Sequence, residues 1–232
     1  MTETNVQENK MGVVPVPKLL FQMSLPMILS MLVQALYNVV DSVFVAQINE
    51  NALTAVSLVF PVQSLMIAIA VGTGVGVNAV LSRSLGEKDF RTADESAKNG
   101  IFLAFISCVV FAVLGVALAK PFFHMQTSDV QIREYGIQYM TIISGFCLAV
   151  YMQVMFERLL QSTGRTFYTM ISQGLGAVIN IIFDPILIFG LLGFPKMGVA
   201  GAAAATVLGQ FCGMFLAMFF NVKFNKDIHI SM

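Results

Sequence analysis

The chain has 232 residues, of which 57% are hydrophobic and only 11% are charged, and its formal net charge is zero. Soluble domains contain roughly 25% charged residues, so this composition, with a mean hydropathy of +0.80, indicates an integral membrane protein. The balanced charge excludes the basic surface that nucleic-acid binding requires. No motif indicates enzymatic chemistry, and we expect neither a catalytic residue nor a cofactor.

Six apolar segments are each long enough to cross a bilayer, for which ~20 helical residues suffice. The pattern predicts an all-α, polytopic membrane protein with six transmembrane helices. These helices form one unit, residues 18–222, between a cytoplasmic tail, residues 1–17, and a cytoplasmic segment, residues 223–232. In chain order the six segments are residues 19–48, 53–85, 97–119, 132–160, 167–192 and 199–222.

The basic residues are distributed unequally between the two sides of such a bundle. With both termini on one side, ten of the thirteen lysines and arginines, Arg158 among them, lie on that side. The remaining three are Lys120, Arg133 and Lys196. The positive-inside rule therefore places both termini in the cytoplasm.

The first segment carries an acid, Asp41, inside its apolar run. An ionised carboxylate at the centre of a membrane helix costs ~3 kcal/mol, so it needs a polar cavity, a partner or a proton. Gln34, Asn38 and Asp41 are spaced i, i+4 and i+7, which places them on one helix face with Tyr37 beside them. We expect this polar stripe to face the interior of the bundle.

The fifth segment carries a second acid, Asp184, with Gln173 and Asn180 on the same helix face. Asp41 lies about twenty residues into its helix and Asp184 about seventeen residues into the fifth. Both acids are therefore expected at similar depth, in the outward-facing half of the membrane. They can share one site.

Two buried acids flanked by amides are suited to bind a proton or a small cation, because loss of water around a carboxyl group favours its protonated form. Asn180 and Thr206 can hold the carboxylates in position or supply oxygen ligands to Na⁺. The alternative is that Asp41 and Asp184 reach water at the headgroups and only stabilise helix ends.

Other residues indicate where the bundle can bend and where it can hold an apolar ligand. Pro26 removes a backbone hydrogen bond within the first segment and makes it bendable. Gly201 and the alanines that follow it permit close approach of helices. Methionine and aromatic side chains can line a pliable cavity. The candidates for this cavity are Tyr37, Tyr139 and Met155.

Five stretches of the sequence, taken together and in order, carry a resemblance to a known family. They read LPMILSMLVQALYNVVDSVFVAQI, AVGTGVGVNAVLSRSLGEKD, LLQSTGRTFYTM, NIIFDP and GVAGAAAATVLGQ. These stretches resemble the amino-terminal half of the multidrug and toxic compound extrusion (MATE) transporters, in particular the DinF-like prokaryotic branch. The similarity covers nearly the whole chain.

The resemblance implies secondary antiport, in which influx of H⁺ or Na⁺ drives export of cationic, amphipathic compounds. By position, Asp41, Asn180, Asp184 and Thr206 match the residues that bind the coupling cation in the family. Pro26 matches a proline at which protonation is proposed to bend the first helix. The residues expected to face the substrate cavity are Gln34, Tyr37, Asn38, Tyr139, Met155 and Gln173.

Family members have two six-helix lobes, and this chain matches one of them. We therefore expect its partners to be the lipid bilayer, cationic drug-like substrates and a C-terminal lobe, and we interpret the chain as a fragment or truncated product. Pairing of two copies is the second option. The resemblance further implies the plasma membrane of a prokaryote, which is the inner membrane in a Gram-negative cell.

Two other functions are compatible with the sequence. One is a flippase for lipid-linked precursors, which would be expected to line its cavity with several basic residues, whereas no lysine or arginine is expected inside a span here. The other is a membrane module that does not transport and instead pairs with a full-length transporter.

Overall fold

The computed structural model describes residues 10–228, and every regular element in that range is helical. A short 3₁₀ turn, Leu191–Gly193, lies between the last two helices. The helices are α1 (Lys10–Val13), α2 (Val16–Ala46), α3 (Glu50–Gly86), α4 (Phe90–Gln126), α5 (Val130–Gly145), α6 (Leu148–Ser162), α7 (Thr166–Phe189) and α8 (Val199–Phe224).

The predicted all-α membrane fold is confirmed. Five helices, α2, α3, α4, α7 and α8, are long and apolar enough to cross a membrane. A sixth span is formed by α5 and α6, which are bent by 45° relative to one another. The chain is therefore a multi-pass membrane protein.

The fourth span differs from the prediction, which had one uninterrupted helix over residues 132–160. The structure ends α5 at Gly145 and begins α6 at Leu148. Glycine has low helix propensity, and the backbone N–H of Cys147 turns to bond the Ser144 carbonyl across the break. The bend lets α6 pack on α3 and α8 while α5 stays packed on α4.

Several helix ends also differ from the predicted boundaries. The fifth span ends at Phe189 rather than at residue 192, because Gly190 adopts a left-handed conformation with φ of +75°. The predicted cytoplasmic segments, residues 1–17 and 223–232, lie partly outside the described residues. Within the described range, α2 already begins at Val16 and α8 continues to Phe224.

Three helices begin with a side chain that caps the first turn, which fixes the short connections before them. Asn49 accepts a hydrogen bond from the Ala52 backbone N–H at 2.7 Å, and Asp129 accepts from Gln131 at 2.8 Å. Asp89 likewise accepts from Thr92 at 3.1 Å. The hydrogen bonds from Thr92 lower the pKa of the exposed Asp89.

The spans run in alternating directions, which defines two ends of the bundle. We call the end that holds the α2–α3, α4–α5 and α7–α8 connections the distal end. The other end, which holds the first residues of α2 and the last residues of α8, is the terminal end. Asp41 lies toward the distal end of α2, and Asp184 lies toward the distal end of α7.

The closest helix pair is α7 with α8, as the small residues of α8 predict. A Cβ atom on Gly209 would lie 2.5 Å from the carbonyl oxygen of Gly176, and one on Gly201 would lie 2.5 Å from that of Leu187. The two backbones are therefore in direct contact at two levels. Helix α2 packs against the other side of α7 and touches α3 only at few points.

The outer surface of the bundle is apolar. Large side chains such as Phe21, Leu32, Phe102, Val113 and Phe215 are exposed on α2, α4 and α8. In a membrane protein such residues contact lipid. Polar groups buried inside the bundle are the ones that indicate a functional site.

Substitution of Gly209 by alanine is expected to destabilise the bundle, because the new methyl group would overlap the Gly176 backbone and force α7 and α8 apart. Overpacking of this kind costs about 1–3 kcal/mol. Thermal unfolding in detergent measures the effect. Gly76→Ala is the matched control, since a Cβ there meets no atom within 4 Å, and alanine stabilises an open helical position slightly. Equal melting temperatures for the two variants would contradict the close contact.

Candidate functional site

The two intramembrane acids lie together between α2 and α7. Asp184 is fully buried at 0% exposure, and Asp41 is 9% exposed. Their carboxyl groups are within hydrogen-bonding reach of each other. Among the described residues, no N–H or O–H donates to the buried Oδ1 atom of Asp41. We call these two residues the Asp41–Asp184 pair. It is an acid pair in which Asp41 has few hydrogen-bond donors to balance its charge.

Asn180 connects the pair to α8. Its amide nitrogen donates to Asp184 Oδ1 at 3.4 Å and to Thr206 Oγ1 at 3.3 Å. With the amide turned over, its nitrogen donates to Asp184 Oδ2 at 3.3 Å and its oxygen accepts from the Thr206 backbone N–H at 3.2 Å. In both orientations Asn180 links Asp184 to Thr206, and the contact between α7 and α8 at Gly209 makes this geometry possible.

Two tyrosines lie beside the pair. Tyr139, from α5, is 2% exposed and within hydrogen-bonding reach of Thr206. Tyr37, from α2, lies beside Gln34 and close to Asp41. Side chains from four helices therefore converge at this level of the bundle.

The arrangement suits exchange of a small cation. Two carboxylates in contact repel each other, so one proton shared between them, or one cation bound to both, stabilises the pair. The available ligand atoms are carboxylate, amide and hydroxyl oxygens, which are the ligands that hard cations prefer.

A cavity of about 490 Å³ opens between α2, α3, α6, α7 and α8. Asp41 and Asn180 line it toward its distal end, and Glu157 and Gln161 line it toward its terminal end. The walls between them are largely apolar. They include Met27, Met31, Ile67, Val71, Val150 and Val154.

A third buried carboxylate, Glu157, lies at the terminal end of this cavity and is 3% exposed. Gln153 donates to its Oε1 atom at 3.0 Å, and Gln173 donates to its Oε2 atom at 2.6 Å. Ser172 Oγ lies 3.3 Å from Oε1. These contacts fix the carboxylate between α6 and α7.

Comparison with protein families identifies this arrangement of helices and acids. The MatE family model matches residues 26–186, which is most of the chain. The chain belongs to the MatE family. The match includes α2 through most of α7 and thus both acids of the pair.

Curated relatives of this MatE chain are transport proteins. A protein from Shewanella oneidensis named FAD transporter is 31% identical over 207 residues, which cover 88% of this chain and 45% of the relative. The multidrug export protein MepA of Staphylococcus haemolyticus is 26% identical over 208 residues, with 89% and 45% covered. The chain spans about half the length of the curated relatives that it matches.

Solved structures agree with this result. The outward-facing structure of a multidrug resistance MATE transporter superposes with a TM-score of 0.83 and 29% identity, covering 92% of this chain and 47% of that one. A MATE crystal structure described as bent gives a TM-score of 0.85 at 29% identity, with 93% and 47% covered. The six-span bundle is thus the architecture of one half of those transporters.

Most residues that the sequence nominated for the cavity of this MatE chain lie on its wall: Gln34, Tyr37, Asn38, Tyr139 and Gln173. Met155 does not. It is 1% exposed and packs toward Gly100 of α4, on the side of α6 that faces away from α7. Pro26 lies within α2, where its carbonyl accepts a hydrogen bond from Ser30 Oγ at 2.7 Å.

The sequence analysis did not identify the Glu157 site, because the cavity candidates that it named in the fourth segment were Tyr139 and Met155. Gln153, Glu157 and Gln161 are spaced i, i+4 and i+8, the same kind of polar stripe that drew attention to Asp41. An acid at that position inside an apolar segment was the available signal.

The side chain of Arg158, which the sequence analysis counts with the basic residues of the cytoplasmic side, lies inside the bundle near the terminal end of α6. Its side chain crosses α3 at Gly74 and its Nη1 atom donates to Gln161 at 2.7 Å, so it lines the cavity. The expectation that no basic residue enters a span is therefore wrong. Without Arg158 the distribution of basic residues is nine against three, and the orientation argument is unchanged.

Asn180→Leu is expected to destabilise the MatE chain by about 1–3 kcal/mol, because it removes the amide that links Asp184 to Thr206 and leaves a buried carboxyl without its donor. Thermal unfolding in detergent is the measurement. Asn38→Leu is the control, since Asn38 lies exposed on the cavity wall. A loss no greater in Asn180→Leu than in the control would show that this link contributes nothing to stability.

Proposed function

We propose that this chain is the cation-coupling half of a secondary transporter that exports cationic, amphipathic compounds in exchange for H⁺ or Na⁺. The observation that carries the proposal is the contact between the Asp41 and Asp184 carboxyl groups at one end of the cavity. The relative named as a multidrug export protein supports the direction and the kind of cargo.

The Asp41–Asp184 pair is the coupling site. A proton or Na⁺ that enters from outside binds between the carboxylates, where the amide of Asn180 and the hydroxyl of Thr206 hold the second acid in place. Loading cancels the repulsion within the pair and draws α2 toward α7. Unloading restores the repulsion and releases α2.

Helix α2 is the element that responds to loading. It packs mainly on α7 and only weakly on α3, and Pro26 removes one backbone hydrogen bond near its terminal end. A change at Asp41 therefore bends α2 at Pro26 and alters the width of the cavity. The bend moves Gln34, Tyr37 and Asn38 on the cavity wall and so changes the contacts of a bound substrate.

Transport across the bilayer requires a second lobe, because secondary transporters move substrate between two structural repeats that alternate in access. The partner is a C-terminal six-helix lobe or, as the second option, another copy of this chain. In the proposed orientation the terminal end faces the cytoplasm and the distal end faces outward, in the plasma membrane of a prokaryote.

A different cargo is the second candidate. Arg158 lines the cavity, and one relative is named as a transporter of FAD, a compound with phosphate groups. An arginine in this place favours an anionic or phosphate-bearing cargo, including a lipid-linked precursor. Two acids, Asp41 and Glu157, lie on the same wall and disfavour an anionic cargo. The third candidate is a membrane module that does not transport.

Asp41→Asn is expected to abolish coupled efflux while the protein still inserts, because an amide cannot take up and release the coupling cation. The measurement is efflux of ethidium from energised cells that express the chain alone or in tandem with a second six-helix lobe. Glu134→Gln is the control, since it removes an exposed carboxylate outside the cavity. Efflux that is unchanged in Asp41→Asn contradicts the coupling role.

Two further measurements on the same proteins identify the coupling ion and test whether the chain is a module that does not transport. Titration of Na⁺ into the purified chain in detergent between pH 5 and 8 reports Na⁺ binding with proton release if Na⁺ couples, and proton exchange alone if H⁺ couples. Absence of efflux from both the single chain and the tandem form would favour the module that does not transport. Such a module should then co-purify with a full-length transporter.

The orientation is tested by cysteine labelling. A cysteine at Lys196, in the distal α7–α8 connection, should react with a membrane-impermeant maleimide on intact cells, whereas a cysteine at Lys88, in the α3–α4 connection, should react only after the membrane is opened. Cys212 is first replaced by serine, because it is the one native cysteine that is not buried. The reverse pattern would place the termini outside.

A further inference from the structure

The Glu157 carboxylate has a different hydrogen-bond environment from the Asp41–Asp184 pair. One amide N–H donates to each of its oxygens, from Gln153 on α6 and from Gln173 on α7. Hydrogen bonds at both oxygens stabilise the charged form of this carboxylate, whereas its burial disfavours that form. The aspartates instead contact one another, which a shared proton or cation stabilises.

No basic side chain neutralises Glu157 within the described residues. Its neighbour Arg158 directs its guanidinium to Gln161, and the ion pairs of the described chain involve other residues. When it is ionised, Glu157 therefore presents to the cavity a negative charge that no ion pair of the described residues cancels. Buried charges of this kind are retained where a partner of opposite charge binds.

The two acidic sites are far enough apart to hold two cations at once. Gln173, which binds Glu157, and Asp184 are eleven residues apart on α7. This corresponds to about 16 Å along the helix axis. The wall between them is mostly apolar by area, with Met31, Val71 and Val154 on it, and it also carries polar side chains such as Gln34 and Asn38.

We propose that Glu157, held by Gln153 and Gln173, is the subsite that binds the positive group of an organic cation whose apolar body lies along the cavity toward the Asp41–Asp184 pair. This assignment rests on the proposed export function for its substrate class. It adds that the coupling cation and the substrate charge occupy separate carboxylates. An onium compound with aromatic groups matches both the charge and the apolar wall.

Arg158 has a defined part in this arrangement. It lies next to Glu157 on α6 and also lines the cavity, so its charge weakens the field that a cationic substrate experiences. Its hydrogen bond to Gln161 keeps the guanidinium from pairing with Glu157. Arg158 therefore lowers the affinity for cations, whereas Glu157 provides the negative charge that binds them.

The test measures binding to the purified full chain in detergent, with tetraphenylphosphonium as the cation and triphenylphosphine oxide as a neutral compound with a similar body. Glu157→Gln should weaken tetraphenylphosphonium binding by about tenfold or more and leave the neutral compound unchanged. Glu134→Gln should change neither Kd. Asp41→Asn should weaken tetraphenylphosphonium binding far less than Glu157→Gln does, although it loses coupled efflux.

A reciprocal variant tests the same charge without altering Glu157. Arg158→Gln should tighten tetraphenylphosphonium binding by about threefold and leave the neutral compound unchanged. This variant also provides the answer if Glu157→Gln does not fold, as judged by gel filtration and helical circular dichroism.

Three results would overturn the subsite. They are equal loss of both compounds in Glu157→Gln, unchanged cation binding in Glu157→Gln or Arg158→Gln, and no binding of tetraphenylphosphonium by the native chain. Failure of the export proposal is a separate result, because it appears as efflux that does not depend on Asp41 while the binding constants still depend on Glu157.

Discussion

Three carboxyl groups lie inside this bundle, and each needs polar partners within the protein because surrounding lipid offers none. The cost of an isolated charge at such a depth is several kcal/mol on most scales. Asp184 is linked to Asn180, Asp41 depends on Asp184, and Glu157 receives hydrogen bonds from two glutamines. The positions of α2, α6 and α7 follow from these requirements.

Close packing of α7 on α8 makes the first of these arrangements possible. The backbones of α7 and α8 touch at Gly176 and Gly209. Asn180 lies one helical turn after Gly176, and from there its amide reaches the Thr206 hydroxyl. Membrane helices associate largely through such small-residue contacts, since lipid provides no hydrophobic force between them. Helix α2 packs mainly on α7 and has few contacts with α3 and α8.

The two ends of the cavity differ in how they treat charge. Toward the distal end the acids face each other, so their charge depends on what is bound. Toward the terminal end the Glu157 carboxylate is held in place by hydrogen bonds from Gln153 and Gln173. In the proposed exchange, the coupling cation and the charged compound therefore occupy separate carboxylates.

The sequence by itself determined the six spans, the stripe of Gln34, Asn38 and Asp41, and the nomination of Asp184 and Asn180, because apolar length and helical spacing are local properties. Only the tertiary structure decided that the fourth span breaks at Gly145, that Met155 faces away from the cavity, and that Glu157 and Arg158 enter it. These features depend on which helices touch. Spacing gives the face of a helix, whereas the neighbour that covers the face follows from packing.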